Sequence, residues 1–239
     1  MIALKLSLYQ NMVNFRRENS FGHVQSYPLP TPSMVRGMSH ELLELTEYYP
    51  LKISIQGDFD TIGVNVQKVI KFDRDPKARP TNPYFVTVGE SAKTATHSIA
   101  FVDSLVNCNL VLHIAFDDEE LTKKLYEKVL TKTVILGRNE DIARVDFENT
   151  KLTDIKKNED SLRLANSILL DKEIAKINQL SGTHYRLPFC YKQVTSYKDY
   201  RIFYFVDCVY IAKGEKLEDD FFVDEDNFAV SFLGVSIEI

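Results

Sequence analysis

The chain has 239 residues, 44% of them apolar and 26% charged, and a formal net charge of −5. That is enough apolar material for one large domain or two small ones, and it excludes a disordered or fibrous chain. Three distant cysteines, Cys108, Cys190 and Cys208, form no CxxC pair, which points to buried reduced thiols rather than a disulfide framework or a zinc site.

The N-terminal run Met1–Tyr9 has no basic leader, and no stretch approaches the roughly 18 apolar residues of a membrane span. A cytoplasmic protein without membrane contact is expected. Ile2, Leu4, Leu6 and Leu8 alternate with Ala3, Lys5, Ser7 and Tyr9, the period of two of a half-buried strand. Residues 10–30 lose that period. They carry Phe15, Arg16, Arg17 and Phe21, then three prolines in five residues, Pro28, Pro30 and Pro32. A helix should follow, with Thr31 as its cap, Pro32 in its first turn and Pro50 as its limit. Val35, Met38, Leu42 and Leu45 fall on one face of it. Gly37 costs that helix about 1 kcal/mol, which suggests a close backbone neighbour or simple tolerance.

Leu51–Gln56 alternates again, and so does Leu105–Phe116, where Val106, Cys108, Leu110, Leu112, Ile114 and Phe116 form one face. Between them, from about 57 to 103, lies an insertion too long for a plain loop. Its Val64–Phe72 stretch reads as the start of a projecting hairpin. Lys68, Lys71, Arg74, Lys77 and Arg79 cluster there against only Asp73 and Asp75. A second helix over Asp117–Leu130 begins with acids and ends with Lys128 and Lys132, as the helix dipole favours. A further strand is expected at Thr133–Leu136 or Ala143–Phe147.

The order is strand, helix, strand, insertion, strand, helix, strand. This is the βαββαβ plan of an α+β, ferredoxin-like or RRM-like domain over residues 1–150. Because the strands alternate, helices should cover one sheet face only. The other face would carry Lys5, Ser7, Tyr9, Lys52, Ser54, Gln56, Asn107, Asn109 and His113. It can bind RNA through Tyr9, its one aromatic, or be covered by a second unit, which the scarcity of rings favours. Residues 151–239 read as that smaller, mainly antiparallel β unit. Partial helix is expected around Asp160–Leu180, and strands at Phe189–Val194, Arg201–Ile211 and Asn227–Phe232. Residues 1–101 hold 11 basic and 9 acidic side chains; the remainder holds 18 and 25. The acidic half can face a basic partner or only water.

Three segments together resemble the Cas-five family of CRISPR-associated proteins, in its type I-B branch. They are Phe15-Arg16-Arg17-Glu18-Asn19-Ser20-Phe21 with Tyr27-Pro28-Leu29-Pro30-Thr31-Pro32-Ser33-Met34-Val35-Arg36-Gly37-Met38; Leu51-Lys52-Ile53-Ser54-Ile55-Gln56-Gly57; and Ile135-Leu136-Gly137-Arg138-Asn139-Glu140-Asp141. The resemblance covers the first 145 residues or so. It implies the RAMP superfamily, with the 57–103 insertion as a thumb. It also implies a non-catalytic subunit of a type I Cascade complex that caps the 5′ handle of the CRISPR RNA. The implied neighbours are the backbone and large subunits, with target DNA met only within the complex and no cofactor or metal required.

Under that reading Arg16, Arg17, Ser33 and Arg36 hold handle phosphates and Phe15 or Phe21 stacks a base. Lys68, Lys71, Arg74, Lys77 and Arg79 track the RNA backbone, with a salt slope of roughly −3.5 for five contacts. The alternatives are a solvated loop anchored by its rings, a surface ion pair of Arg36 with Glu41 or Glu44, and a solvated hairpin. Arg138 with Glu140 reads either as an RNA contact or as a structural pair joining the two units. One family branch, in type I-C systems, cleaves repeat RNA without metal through tyrosine, lysine and histidine. Its Lys-His pair has no counterpart here, although Tyr48, Tyr49, Lys93 and His97 could form an acid–base site.

Overall fold

A computed structural model describes residues 1–20, 22–74, 85–158, 160–193 and 200–234, with backbone alone at 72–74, 85, 88, 95 and 96. In chain order come β1 (Ile2–Val13), β2 (His23–Val24), α1 (Pro32–Leu43), β3 (Leu51–Asp58), β4 (Thr61–Arg74), β5 (Phe85–Val88), β6 (Ser91–Phe116) and α2 (Glu119–Thr131). There follow β7 (Val134–Ile135), β8 (Ile142–Val145), β9 (Lys151–Asp154), β10 (Lys156–Lys157), β11 (Leu162–Arg163), β12 (Ser167–Asp171) and α3 (Lys172–Ile177). The last are β13 (Thr183–Gln193), β14 (Arg201–Ile211), β15 (Lys216–Leu217), β16 (Phe222–Val223) and β17 (Ala229–Val230). The fold is mixed α+β, dominated by one large sheet whose main path runs β13-β14-β12-β3-β6-β1-β8-β7.

Its centre is the run β3-β6-β1-β8, in which each strand is antiparallel to its neighbour. Both strand candidates after α2 form, as the antiparallel pair β7 and β8. Thr31 caps α1 by accepting the Met34 N–H on its hydroxyl, and Glu44 ends it in a left-handed turn at φ 58°. Asp118 caps α2 in the same way, accepting from Glu120. Val35, Met38 and Leu42 of α1 and Leu125 and Val129 of α2 pack on Leu4, Leu6 and Leu8, so both helices lie on one face. Gly37 faces nothing within 4 Å, so no close backbone neighbour inside the chain explains it. Gly57 is different: a Cβ there would run into the carbonyl of Asn109 on β6.

The opposite face is buried too. Lys5 and Ser7 are 2% and 8% exposed and His113 is fully enclosed. The C-terminal segment does the covering. Gln56 Nε2 donates to the Ala229 carbonyl at 2.9 Å, and the Ser231 N–H donates to Ser54 Oγ at 3.1 Å. Lys5 Nζ lies 2.9 Å from Asp224 Oδ2 and 2.7 Å from Asp226 Oδ2, over the ring of Phe228. His113 Nε2 meets the same Asp224 oxygen at 3.0 Å. Burial alone would raise the Asp224 carboxyl. Hydrogen bonds from His113, Lys5 and the Phe228 N–H instead hold it well below its usual range. Burial depresses His113 against the attraction of Asp224. It is therefore a neutral imidazole donating from Nε2, and Lys5 carries the positive charge.

β4 and the first half of β6 form the expected hairpin, paired from Thr61↔Val106 outward. The partial helix expected around residues 160–180 is α3. Helix is confined to α3, while Ile168, Leu169 and Leu170 are buried side by side in β12, wedged between β3 and β14. A strand buried on both faces loses the two-residue period and reads as a helical apolar run. Residues of β12, β14 and the segment around Leu217 and Phe221 gather a second, smaller core cluster. The three cysteines are free and buried, and burial pushes the thiols of Cys108 and Cys208 up to about 12. Among the described residues no helix is long and apolar enough to cross a membrane, and no group of side chains could hold a metal ion.

Candidate nucleic-acid interface

The loop after β1 is built around Phe15. Its ring is wholly inside the core, so it anchors the loop and presents no face to a ligand. Backbone bonds close the loop above it: Tyr27 N–H donates to the Phe15 carbonyl at 2.7 Å, and Arg17 N–H to that of Gln25 at 3.0 Å. With the loop fixed, successive side chains diverge. Arg16 points outward, and among the described residues its guanidinium donates only to the Ser20 carbonyl, at 3.4 Å. Arg17 points inward. Its Nε donates to the Ser26 carbonyl at 3.2 Å, and its guanidinium stands 5.2 Å from the Tyr27 ring and 5.9 Å from that of Tyr185 on β13.

Those two tyrosines meet edge to face at 5.5 Å, and Tyr27 donates its hydroxyl to Glu18 at 2.8 Å. Burial, then the Glu18 hydrogen bond, raises the Tyr27 phenol far above its usual value, so it stays a neutral donor. Arg17 thus fastens the loop to the C-terminal hairpin. Phe21 lies outside the described residues.

Ser33 sits 2.9 Å from the Thr31 hydroxyl in the first turn of α1. Arg36, one turn further, makes no ion pair with Glu41 or Glu44; Glu44 pairs instead with Lys132 at 2.5 Å. Arg36 Nε donates to the Phe189 carbonyl of β13 at 3.2 Å, and its guanidinium lies 6.0 Å from the Tyr191 ring. Beside it, His40 stacks on Phe116 at 6.2 Å. Burial and the charge of Arg36 lower its pKa to about 4.

The hairpin cations are not brought to one side. Lys68 and Lys71 are both exposed, but their odd spacing on β4 puts them on opposite faces. Arg74 ends β4 and its side chain is not described; Lys77 and Arg79 lie outside the described residues. The face that carries Lys68 also exposes Ile62, Val64, Val66, Ile70, Ile99 and Phe101.

Arg138 is structural, though it does not join two units as expected. It grips Asp141 through Nε at 3.2 Å and Nη2 at 3.0 Å, meets Glu140 at 3.1 Å, and reaches Gln67 of the hairpin at 3.2 Å. The acid–base group of Tyr48, Tyr49, Lys93 and His97 is not assembled. The tyrosines sit beside Leu51, which pairs with Phe116 at one end of β6, whereas Lys93 and His97 lie towards its other end. At about 3.3 Å per residue the strand path from His97 to Phe116 is roughly 60 Å.

Sequence reasoning does not single out Tyr185, Phe189 and Tyr191, the hairpin partners of Arg17 and Arg36, or Arg201, which lies on the Tyr191 ring. The alternation of aromatics and cations in Tyr185–Lys192 and Arg201–Phe205 was the available signal.

No protein-family model matches the sequence, and no curated protein matches it. Among solved structures, a chain of a CRISPR RNA-guided surveillance complex superposes with a TM-score of 0.57 at 13% identity, covering 96% of this chain and 94% of that one. A CRISPR protein from Archaeoglobus fulgidus gives 0.45 at 12% identity, over 98% and 100% of the two chains. A structure described as a Cas protein gives 0.45 at 13%, over 90% and 95%. The chain shares the fold of the surveillance-complex protein, a mixed α+β fold with a large antiparallel sheet and few helices, over nearly the whole length of both.

Proposed function

We propose that this chain is an RNA-binding subunit of a CRISPR effector complex, and within that class the subunit that caps the 5′ handle of the guide RNA. The observation that carries the reading is the full-length likeness to a protein of an RNA-guided surveillance complex. Topology supports the finer assignment. The segments β1–α1–β3–β6–α2–β8 follow the ferredoxin-like plan, with sheet order β8-β1-β6-β3. The β4–β6 hairpin occupies the place of the thumb that the Cas-five resemblance implies. Exposed Arg16 and half-buried Arg36 remain available to phosphate, whereas Arg17 and Phe15 shape the loop that presents them. The backbone and large subunits are the proposed neighbours, and target DNA is met through base pairing in the assembled complex. The chain acts without cleaving RNA.

Reconstitution with guide RNA and those two subunits tests this, by nuclease footprinting of the handle in EDTA. Handle protection that disappears when this chain is omitted is expected. Equal protection without it removes the capping role, and specific cleavage of repeat RNA by the purified chain in EDTA makes it an endoribonuclease instead.

A further inference from the structure

We infer that the outward face of the β13–β14 hairpin is a stacking platform for a single-stranded segment of RNA. The inference rests on the reading of the chain as an RNA-binding subunit and gives that activity a surface outside the loop, α1 and thumb. It begins with register. Arg186 opposes Asp207 and Pro188 opposes Phe205; then the pairing shifts between Pro188 and Cys190, and Tyr191 opposes Phe203. A bulge of one residue reverses which parity faces outward. Without it Tyr191 would turn towards the core; with it Tyr191 joins Phe203, Phe205 and Arg186 on one face.

That face is open. Tyr191, Phe203 and Phe205 are 40%, 48% and 42% exposed. Their rings form a row, Tyr191 to Phe203 at 5.9 Å and Phe203 to Phe205 at 6.4 Å, each pair tilted by about half a right angle. Arginines sit on the two ends of the row. The Arg201 guanidinium is 4.4 Å from the Tyr191 centroid, and that of Arg186 is 5.1 Å from Phe205. Arg36 approaches Tyr191 from α1. None of these three makes an ion pair among the described residues. The two strands together contain one acidic residue, Asp207, in a chain of net charge −5. Among the described residues β13 is also the end strand of the sheet.

Rings in a row with unpaired guanidinium groups beside them are what base stacking along a phosphate backbone needs. A protein partner would meet the same rings, but it would have to neutralise three cations. The polyanion does so along its length.

The sequence contains no tryptophan, so Phe203→Trp places a single reporter in the row. The full chain carrying it is titrated with ten-nucleotide oligouridine and oligoadenosine at low salt. Saturable quenching of the indole fluorescence is expected. Phe203→Leu and Phe205→Leu should each weaken binding by about 5- to 150-fold. Arg186→Gln with Arg201→Gln should reduce the log–log salt slope by about 1.4. Binding that neither quenches the reporter nor responds to these variants removes the platform and leaves the RNA-binding function intact. Absence of binding to any oligonucleotide and to handle RNA in the reconstituted complex removes both. A reporter that shifts only when the backbone or large subunit is added without RNA makes this a protein interface and overturns the inference.

Discussion

On the face of the central sheet turned away from the helices, Lys5 is 2% exposed and is held by two carboxylates. On the outward face of the β13–β14 hairpin, Arg186 and Arg201 are exposed and rest on rings; the carboxylate of Asp207 stands opposite Arg186 but forms no ion pair with it. The first arrangement consumes a charge inside the fold. Removing a charge from water costs several kcal/mol, and only close counter-charges and hydrogen bonds offset it. The second arrangement leaves its charge hydrated and adds only a modest cation–π attraction, which a ligand can share. One sheet therefore uses its cations in two ways, one as a lock for the C-terminal segment and one as a free surface.

Breaking the lock should have the largest effect. In Asp224→Asn the Oδ1 position still accepts the Asp226 and Phe228 N–H groups, so the turn survives. The amide nevertheless leaves Lys5 enclosed with one exposed counter-charge, Asp226. A loss of about 3–5 kcal/mol is expected, seen as a fall in Tm of roughly 10 °C. Adding Lys5→Met should recover much of it. No recovery in the double variant would mean that the segment is held by shape, not by charge.

Acid should open the same lock more gradually. The folded-state pKa of His113 lies below 6.5 and that of His40 falls to about 4. The unfolded chain therefore takes up protons first. The stability of the neutral imidazoles is complete above pH 6.5 and is lost as pH falls towards 4. Asp224, also depressed, adds its loss below its ordinary value of 3.8. The denaturation midpoint should decline from pH 7 to 4 and steepen below. His113→Gln keeps a donor for Asp224 without a titrating ring, and should flatten the upper part of the slope. A midpoint that is level between pH 7.5 and 4.5 would contradict the neutral, buried His113.

The two regions were unequally legible in the sequence. Strict alternation marks β1 and β3, and the cap at Thr31 and the acids that open the second helix mark the helix starts, because all of these signals are local. That Lys5, Ser54 and His113 share a sheet face also followed from alternation. Their burial did not, because Asp224 lies more than a hundred residues from His113 in the chain. The hairpin failed in the opposite sense. Its strands are legible as strands, but which rings face outward is not, because the face that Tyr191 occupies depends on a bulge that Pro188 permits without fixing its place. β12 was missed because burial on both faces removes the alternation.

The smallest effect separates Arg16 from Arg17, adjacent residues that divide along the same line as the two surfaces. Arg17→Ala removes two hydrogen bonds, to the Ser26 carbonyl within the loop and to the Tyr185 hydroxyl on β13, and its contacts with the Tyr27 and Tyr185 rings, worth about 1–2 kcal/mol together. Arg16→Ala removes one long bond from an exposed side chain, and a change within about 0.5 kcal/mol is expected. Handle affinity should order them the other way when the partner subunits are present. Arg16→Ala would weaken RNA binding while leaving Tm unchanged, and whatever Arg17→Ala loses in affinity should follow its loss of stability. If Arg16→Ala binds the handle as tightly as the wild-type chain, phosphate recognition does not pass through this loop. Arg36 and the hairpin face would then be its principal cations.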